Sequence, residues 1–184
     1  MADVEPSPGD FFITPTSGRF LDRIFARVIE WFTATKDAAG HWHDAPVNHA
    51  GLLTAPEVIV EAGLHVRYGS TSQYPKAIWS TGRLPAHLTP TDEQRKLIVQ
   101  AAHDMVGLGY NVPDLLAIGL AQKRMDDAVT SKTWWARRLD RLDRVICSEL
   151  VVRAYRAAGI DLAPGKLAAL VSPEDLYALL LPAS

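Results

Sequence analysis

The sequence predicts an α+β fold, on three observations. Short β-type runs crowd into a central block spanning residues 47–80. Amphipathic helical patterns lie before and after that block. The order is strand, helix, several strands, several helices, and not the strand–helix alternation of a parallel α/β sheet. The 184 residues suffice for a single domain with a sizeable core. We therefore expect one domain over residues 1–184, with residues 1–8 a loose lead-in.

The N-terminal stretch "MADVEPSPGD" is acidic and proline-rich. It has neither the basic segment nor the apolar run of a secretory leader, and no run approaches the ~20 apolar residues of a membrane span. A cytoplasmic protein without stable membrane insertion is the expectation. "DFFIT" reads as a short strand. From Arg19 to about Thr35, Phe20, Leu21, Ile24, Phe25, Val28, Ile29 and Phe32 form one apolar stripe of a core-packing helix. "TKDAAGHWHDAP" reads as a polar loop. "VNHAGLL", "EVIVEA", "LHVRYG" and "AIWS" then read as strands of an antiparallel sheet with short connections. "TPTDEQRKLIVQAAHDMVGLG" is a helix capped by Thr89 or Thr91, with Leu97, Ile98, Ala101, Ala102 and Met105 as its apolar face. "NVPDLLAIGLAQKR" and "TSKTWWARRLDRLDR" extend this helical block, residues 89–143, which is expected to shape a substrate cleft. A helix starting at Cys147 stops near Gly159, and "VSPEDLYALL" closes the chain with Ser172 as cap.

Composition excludes some classes of function. The hydrophobic share of 48% and charged share of 22% are those of an ordinary globular chain. A formal net charge of −2 argues against nucleic-acid binding driven by phosphate attraction. A single cysteine forms no internal disulfide, which excludes a disulfide-built scaffold.

That cysteine is the first candidate for chemistry. "VICSELVV" places Cys147 at a loop-to-helix junction, where unpaired N–H groups and the helix dipole favour a thiolate. The competing reading is a small buried residue packing a helix start. His49 lies inside an apolar strand beside Ala50 and Gly51, and a ring there needs a polar partner. Glu61 closes the aliphatic run "VIV". If the two strands are antiparallel neighbours, the short "TAP" link sets His49 and Glu61 side by side. A nucleophile, a base and a group that orients the base would then meet. The competing readings are a core histidine with a mundane hydrogen bond and a strand-end carboxylate facing water.

"HAGLL", "VIVEA" and the distant "CSELV" together resemble the NlpC-type branch of papain-like cysteine hydrolases. The order, histidine first and cysteine last, resembles its circularly permuted members, the YiiX-like hydrolases and their lecithin–retinol-acyltransferase-like relatives. "PGDFFIT" resembles the strand that opens the sheet in this group, and "RAAGIDL" and "VSPEDLYAL" resemble its tail. The resemblance spans roughly residues 8 to 180. It implies a papain-like fold in permuted order, with Cys147 as nucleophile, His49 as base and Glu61 as third member. The activity implied is hydrolysis of an amide or ester in a peptide, peptidoglycan-like or acyl-amide substrate, with no metal or organic cofactor. Ile146 departs from the aspartate that the commoner branch carries before its cysteine, and Glu61 replaces a frequent histidine.

Other residues offer lesser candidates. Asn48, Trp42 and Tyr68 are expected as substrate contacts in the cleft. His41, His43 and Asp44 in "HWHD" would make a metal site with His49 or His65, the basis of a rival metal-dependent hydrolase. "WWARRLDRLDR" is either a solvated helix or an interfacial contact for an acyl substrate. His65 and Arg67 alternate with Leu64 and Val66 and are expected on the solvent face. The remaining rival is a papain-like module that binds or assembles without catalysis. Expected partners are a small-molecule, peptide or lipid-like substrate and no nucleic acid; the oligomeric state does not follow from the sequence.

Overall fold

The computed structural model describes residues 5–14, 35–36, 42–43, 47, 49–63, 65–110 and 144–181. In chain order its elements are β1 (Phe11–Thr14), β2 (Thr35–Lys36), β3 (Trp42–His43), β4 (His49–Ala55), β5 (Val58–Ala62), β6 (Val66–Ser70), β7 (Ile78–Trp79), α1 (Asp92–Asp104), β8 (Gly109–Tyr110), β9 (Arg144–Val145), α2 (Cys147–Ala157) and α3 (Pro173–Ala178). This is an α+β architecture. A five-stranded antiparallel sheet runs in the order β6–β5–β4–β1–β7. The pair β2–β3 is antiparallel and the pair β8–β9 is parallel.

The sheet is buried on both faces at its centre, so β1 and β4 read as nearly continuous apolar runs. Strand alternation sorts the side chains. Phe11, Ile13, Ala50, Leu52, Val60 and Ala62 join the core under the helices. Phe12, Leu53 and Ile59 turn the other way and pack with Tyr74 and Trp79. On the helical side Tyr155 from α2 meets Phe11 edge-on, at 5.7 Å and 78° between rings, and each large apolar side chain buried there contributes about 1.5–3 kcal/mol.

Helix boundaries follow local chemistry. Thr91 caps α1 in a reciprocal capping box with Gln94. Ile98 and Ala102 are buried and Ala101 and Met105 are partly so, whereas Leu97 of the expected apolar face is 52% exposed. Extended backbone at Ile146 precedes α2, and the Glu149 carboxylate accepts the Ile146 N–H at 3.2 Å. Gly159, with φ of +78°, ends that helix in the left-handed conformation that favours glycine. Ser172 caps α3, with Pro173 in its first turn.

A buried carboxylate anchors the start of β1. Asp10 is 1% exposed. It accepts from Arg95 of α1 at 2.8 Å, Thr81 at 2.7 Å and the Ser7 N–H at 2.8 Å. The Tyr155 hydroxyl donates to the Gly9 carbonyl at 2.9 Å and fixes the same segment.

Most expected elements are present, with differences at three places, one of them the parallel ladder β8–β9, which takes in Arg144 of an expected helical run. The expected loop "TKDAAGHWHDAP" contributes the ladder β2–β3, whose strands of two residues each are too short for an alternating pattern to register. Arg67 keeps a side chain that is 39% exposed, as its expected face implies, but its guanidinium also pairs with Glu61, its cross-strand partner. The expected helix at 19–35 lies outside the described residues apart from Thr35, and the two helical runs that follow Tyr110 lie outside them up to residue 143. No described helix is long and apolar enough to cross a membrane.

Candidate functional site

The site is assembled where β4 begins and α2 begins. His49 opens β4, and Gly51 lies two residues on, on the same face. Cross-strand pairing sets Glu61 of β5 opposite Gly51. From there the Glu61 carboxylate reaches His49. The Phe12 ring lies over Gly51, and a Cβ there would come within 2.6 Å of that ring. The ring and the Val60 carbonyl, 2.9 Å from such a Cβ, together require the glycine.

Glu61 Oε2 lies 2.9 Å from His49 Nε2. The Tyr74 hydroxyl donates to the same oxygen and stands 3.2 Å from Nε2. On the other side, Arg67 approaches Oε1 through both Nε and Nη2, each at 3.0 Å. Glu61 is 1% exposed and its oxygens are all engaged. Burial alone would push its acidity towards the neutral form. The hydrogen bond and charge of His49, the Tyr74 hydroxyl and the Arg67 charge outweigh burial and hold its pKa down at about 2.

His49 is shaped by the same balance. Burial works against an imidazolium, but hydrogen bonds with Cys147 and Glu61 and the charges of both raise its pKa from 6.5 to about 9. At neutral pH the ring is therefore charged, between the Glu61 carboxylate and Cys147. An ionised carboxylate only accepts, so Nε2 facing it carries a proton. Nδ1 is the nitrogen left for Cys147. Aromatic rings fix the plane of the imidazole: Tyr74 lies 5.3 Å away at 31°, and Phe12 lies 6.0 Å away, edge-on.

Cys147 is the first residue of α2, 2% exposed and free of any disulfide. Its N–H has no intrahelical acceptor by helix geometry, while that of Ile146 is occupied by Glu149. The Glu149 charge so near the helix start is met by Arg153, at 2.6 Å one turn on. Ser148, next to the thiol, anchors the first turn by donating to the Val171 carbonyl at 2.5 Å.

The structure thus brings Cys147, His49 and Glu61 together. It does not bring Tyr68 to them. Tyr68 pairs with Val60 and so faces the side opposite Glu61, where its exposed hydroxyl meets His103 Nδ1 at 2.9 Å. Trp42 belongs to β3, and Asn48 lies outside the described residues. His41 and Asp44 lie outside them as well; among the described residues no group of three or more His, Cys, Asp or Glu is placed to hold a metal ion. Two members of the site escaped the sequence reading, Tyr74 and Arg67. The signal for Arg67 was the "VIVEAGLHVRYG" hairpin, whose register sets opposite charges face to face. Tyr74 follows a single 3₁₀ turn, Thr71–Gln73, and no periodic pattern marks it.

An imidazole charged at neutral pH, oriented by a buried carboxylate and facing a helix-start thiol, is an arrangement able to move one proton. No family model matches the chain, and no curated protein matches it.

Proposed function

We propose that this protein is a cysteine-dependent hydrolase with a papain-like, NlpC-type fold in permuted order. Its substrate is an amide or ester in a small-molecule, peptide or lipid-like acyl compound. The supporting observation is the link from buried Glu61 through His49, at 2.9 Å, to the thiol at the first residue of α2.

In this reading the resting pair is thiolate and imidazolium. The Cys147 sulfur attacks the acyl carbon, and the Cys147 N–H helps hold the oxyanion. His49 Nδ1 gives its proton to the leaving amine or alcohol as the acyl–heteroatom bond breaks, leaving a thioester. Neutral His49 then takes a proton from water, the hydroxide carbon–oxygen bond forms, and the carbon–sulfur bond breaks. Thiolate and imidazolium return. Glu61 keeps the ring oriented and stabilises its charge throughout.

Trapping the acyl group tests this. The protein, incubated briefly with a p-nitrophenyl acyl ester at pH 6, should gain one acyl mass on the Cys147 peptide, released by hydroxylamine. The Cys147→Ser variant should gain none. Acyl groups found only on lysines, or equally on both proteins, would contradict the reading and favour a papain-like binding module.

A further inference from the structure

The aromatic and acidic neighbours of His49 carry a further inference, which rests on the proposed thiol chemistry. We propose that Tyr74 is a positioning residue for the reaction: its hydroxyl and its ring together hold Glu61 and His49 in the one arrangement that aims Nδ1 at Cys147.

The geometry supports this through two separate contacts. The hydroxyl donates to Glu61 Oε2, the oxygen that also accepts from His49. Since the single phenolic proton goes to the carboxylate, the oxygen lone pairs face the His49 Nε2–H, 3.2 Å away. Carboxylate, phenol and imidazole form a closed triangle, and a rotation of the imidazole about its Cβ bond would break two sides of it. The phenyl ring stacks on the imidazole at 5.3 Å and on Phe12 at 5.0 Å, so the hydroxyl is itself held in place. Arg67, on the other carboxylate oxygen, leaves Oε2 to these donors. Arg67 supplies charge to the site, whereas Tyr74 supplies direction.

Two variants separate positioning from plain structural support. Tyr74→Phe keeps the stacked ring and loses the hydroxyl; Tyr74→Leu loses both. The first readout is the titration of His49 by nitrogen-15 NMR, which needs neither substrate nor a reactive thiol. The second is the pH profile of Cys147 alkylation by iodoacetamide. Loss of one hydrogen bond to a charged group predicts about a tenfold lower proton affinity of His49 in Tyr74→Phe, and a similar loss of alkylation rate at pH 6. Tyr74→Leu should lose more in both. A Tyr74→Phe protein whose His49 titration matches wild type would overturn the inference, even if its melting temperature falls. A shifted His49 titration beside a wild-type thiol that is unreactive below pH 7 would leave the role of Tyr74 standing and defeat the hydrolase reading instead.

Discussion

Two carboxylates lie equally deep in this protein, and they do different things. Asp10 and Glu61 are each 1% exposed, and each pairs with an arginine. Around Asp10 the remaining donors are the hydroxyls of Thr81 and Ser80 and the Ser7 N–H, groups that hold their protons across the working pH range. Around Glu61 the next group is an imidazole, and beyond it a thiol. The first cluster ties the start of β1 to α1. The second holds a proton that can move. Burial and pairing alone do not mark a functional site; a titrating partner on a satisfied carboxylate is what makes the second cluster the candidate.

The largest effect that sharpens this contrast is on the thiol. Cys147→Ser should lose all labelling at that position. His49→Ala removes the imidazole that takes up the thiol proton and should slow alkylation at pH 6 by about one to two orders of magnitude.

Next come the two carboxylates themselves. Asp10→Ala leaves Arg95, 21% exposed, without its partner and should cost about 2–4 kcal/mol in denaturant unfolding, with the alkylation profile unchanged. Glu61→Gln should do the reverse. Its arginine is 39% exposed and finds water, so stability falls less, while the His49 titration drops from about 9 towards 6.5 or below. A loss of thiol reactivity in Asp10→Ala equal to that in Glu61→Gln would break the comparison.

The pH dependence of stability carries the same contrast. His49 has its folded-state pKa raised from 6.5 to about 9, so its contribution is complete below pH 6.5 and fades as pH rises towards 9. Glu61 has its pKa lowered from 4.5 to about 2, so its contribution is complete above pH 4.5 and fades as pH falls towards 2. Melting temperature should therefore be highest between those limits, and the alkaline fall should shrink in His49→Ala. The smallest effect is a control: Thr91→Ala, which removes the cap of α1, should cost about 1 kcal/mol and leave the thiol untouched.

Much of this was legible in the sequence where local patterns and tertiary demands agree. The strands β1 and β5–β7 announce themselves by β-branched and aromatic residues and β4 by a short apolar run, and α1 and α3 by their Thr91 and Ser172 caps. Cys147, His49 and Glu61 were legible because each is chemically odd for its place: a thiol at a helix start and polar groups inside apolar strands. Arg67 keeps the face that alternation gives it; what alternation does not show is the acid that its side chain meets, Glu61, directly across the strand pair. Tyr74 was not legible at all, since its position depends on how the turn after β6 returns across the sheet.

The central claim is the coupling of Cys147 to His49, and the rate of Cys147 alkylation by iodoacetamide against pH, in wild type and His49→Ala, tests it most directly. The account predicts a wild-type thiol that already reacts at pH 6 and a variant that has lost this reactivity there. A wild-type thiol that labels only on unfolding, or a profile that His49→Ala leaves unmoved, would contradict it.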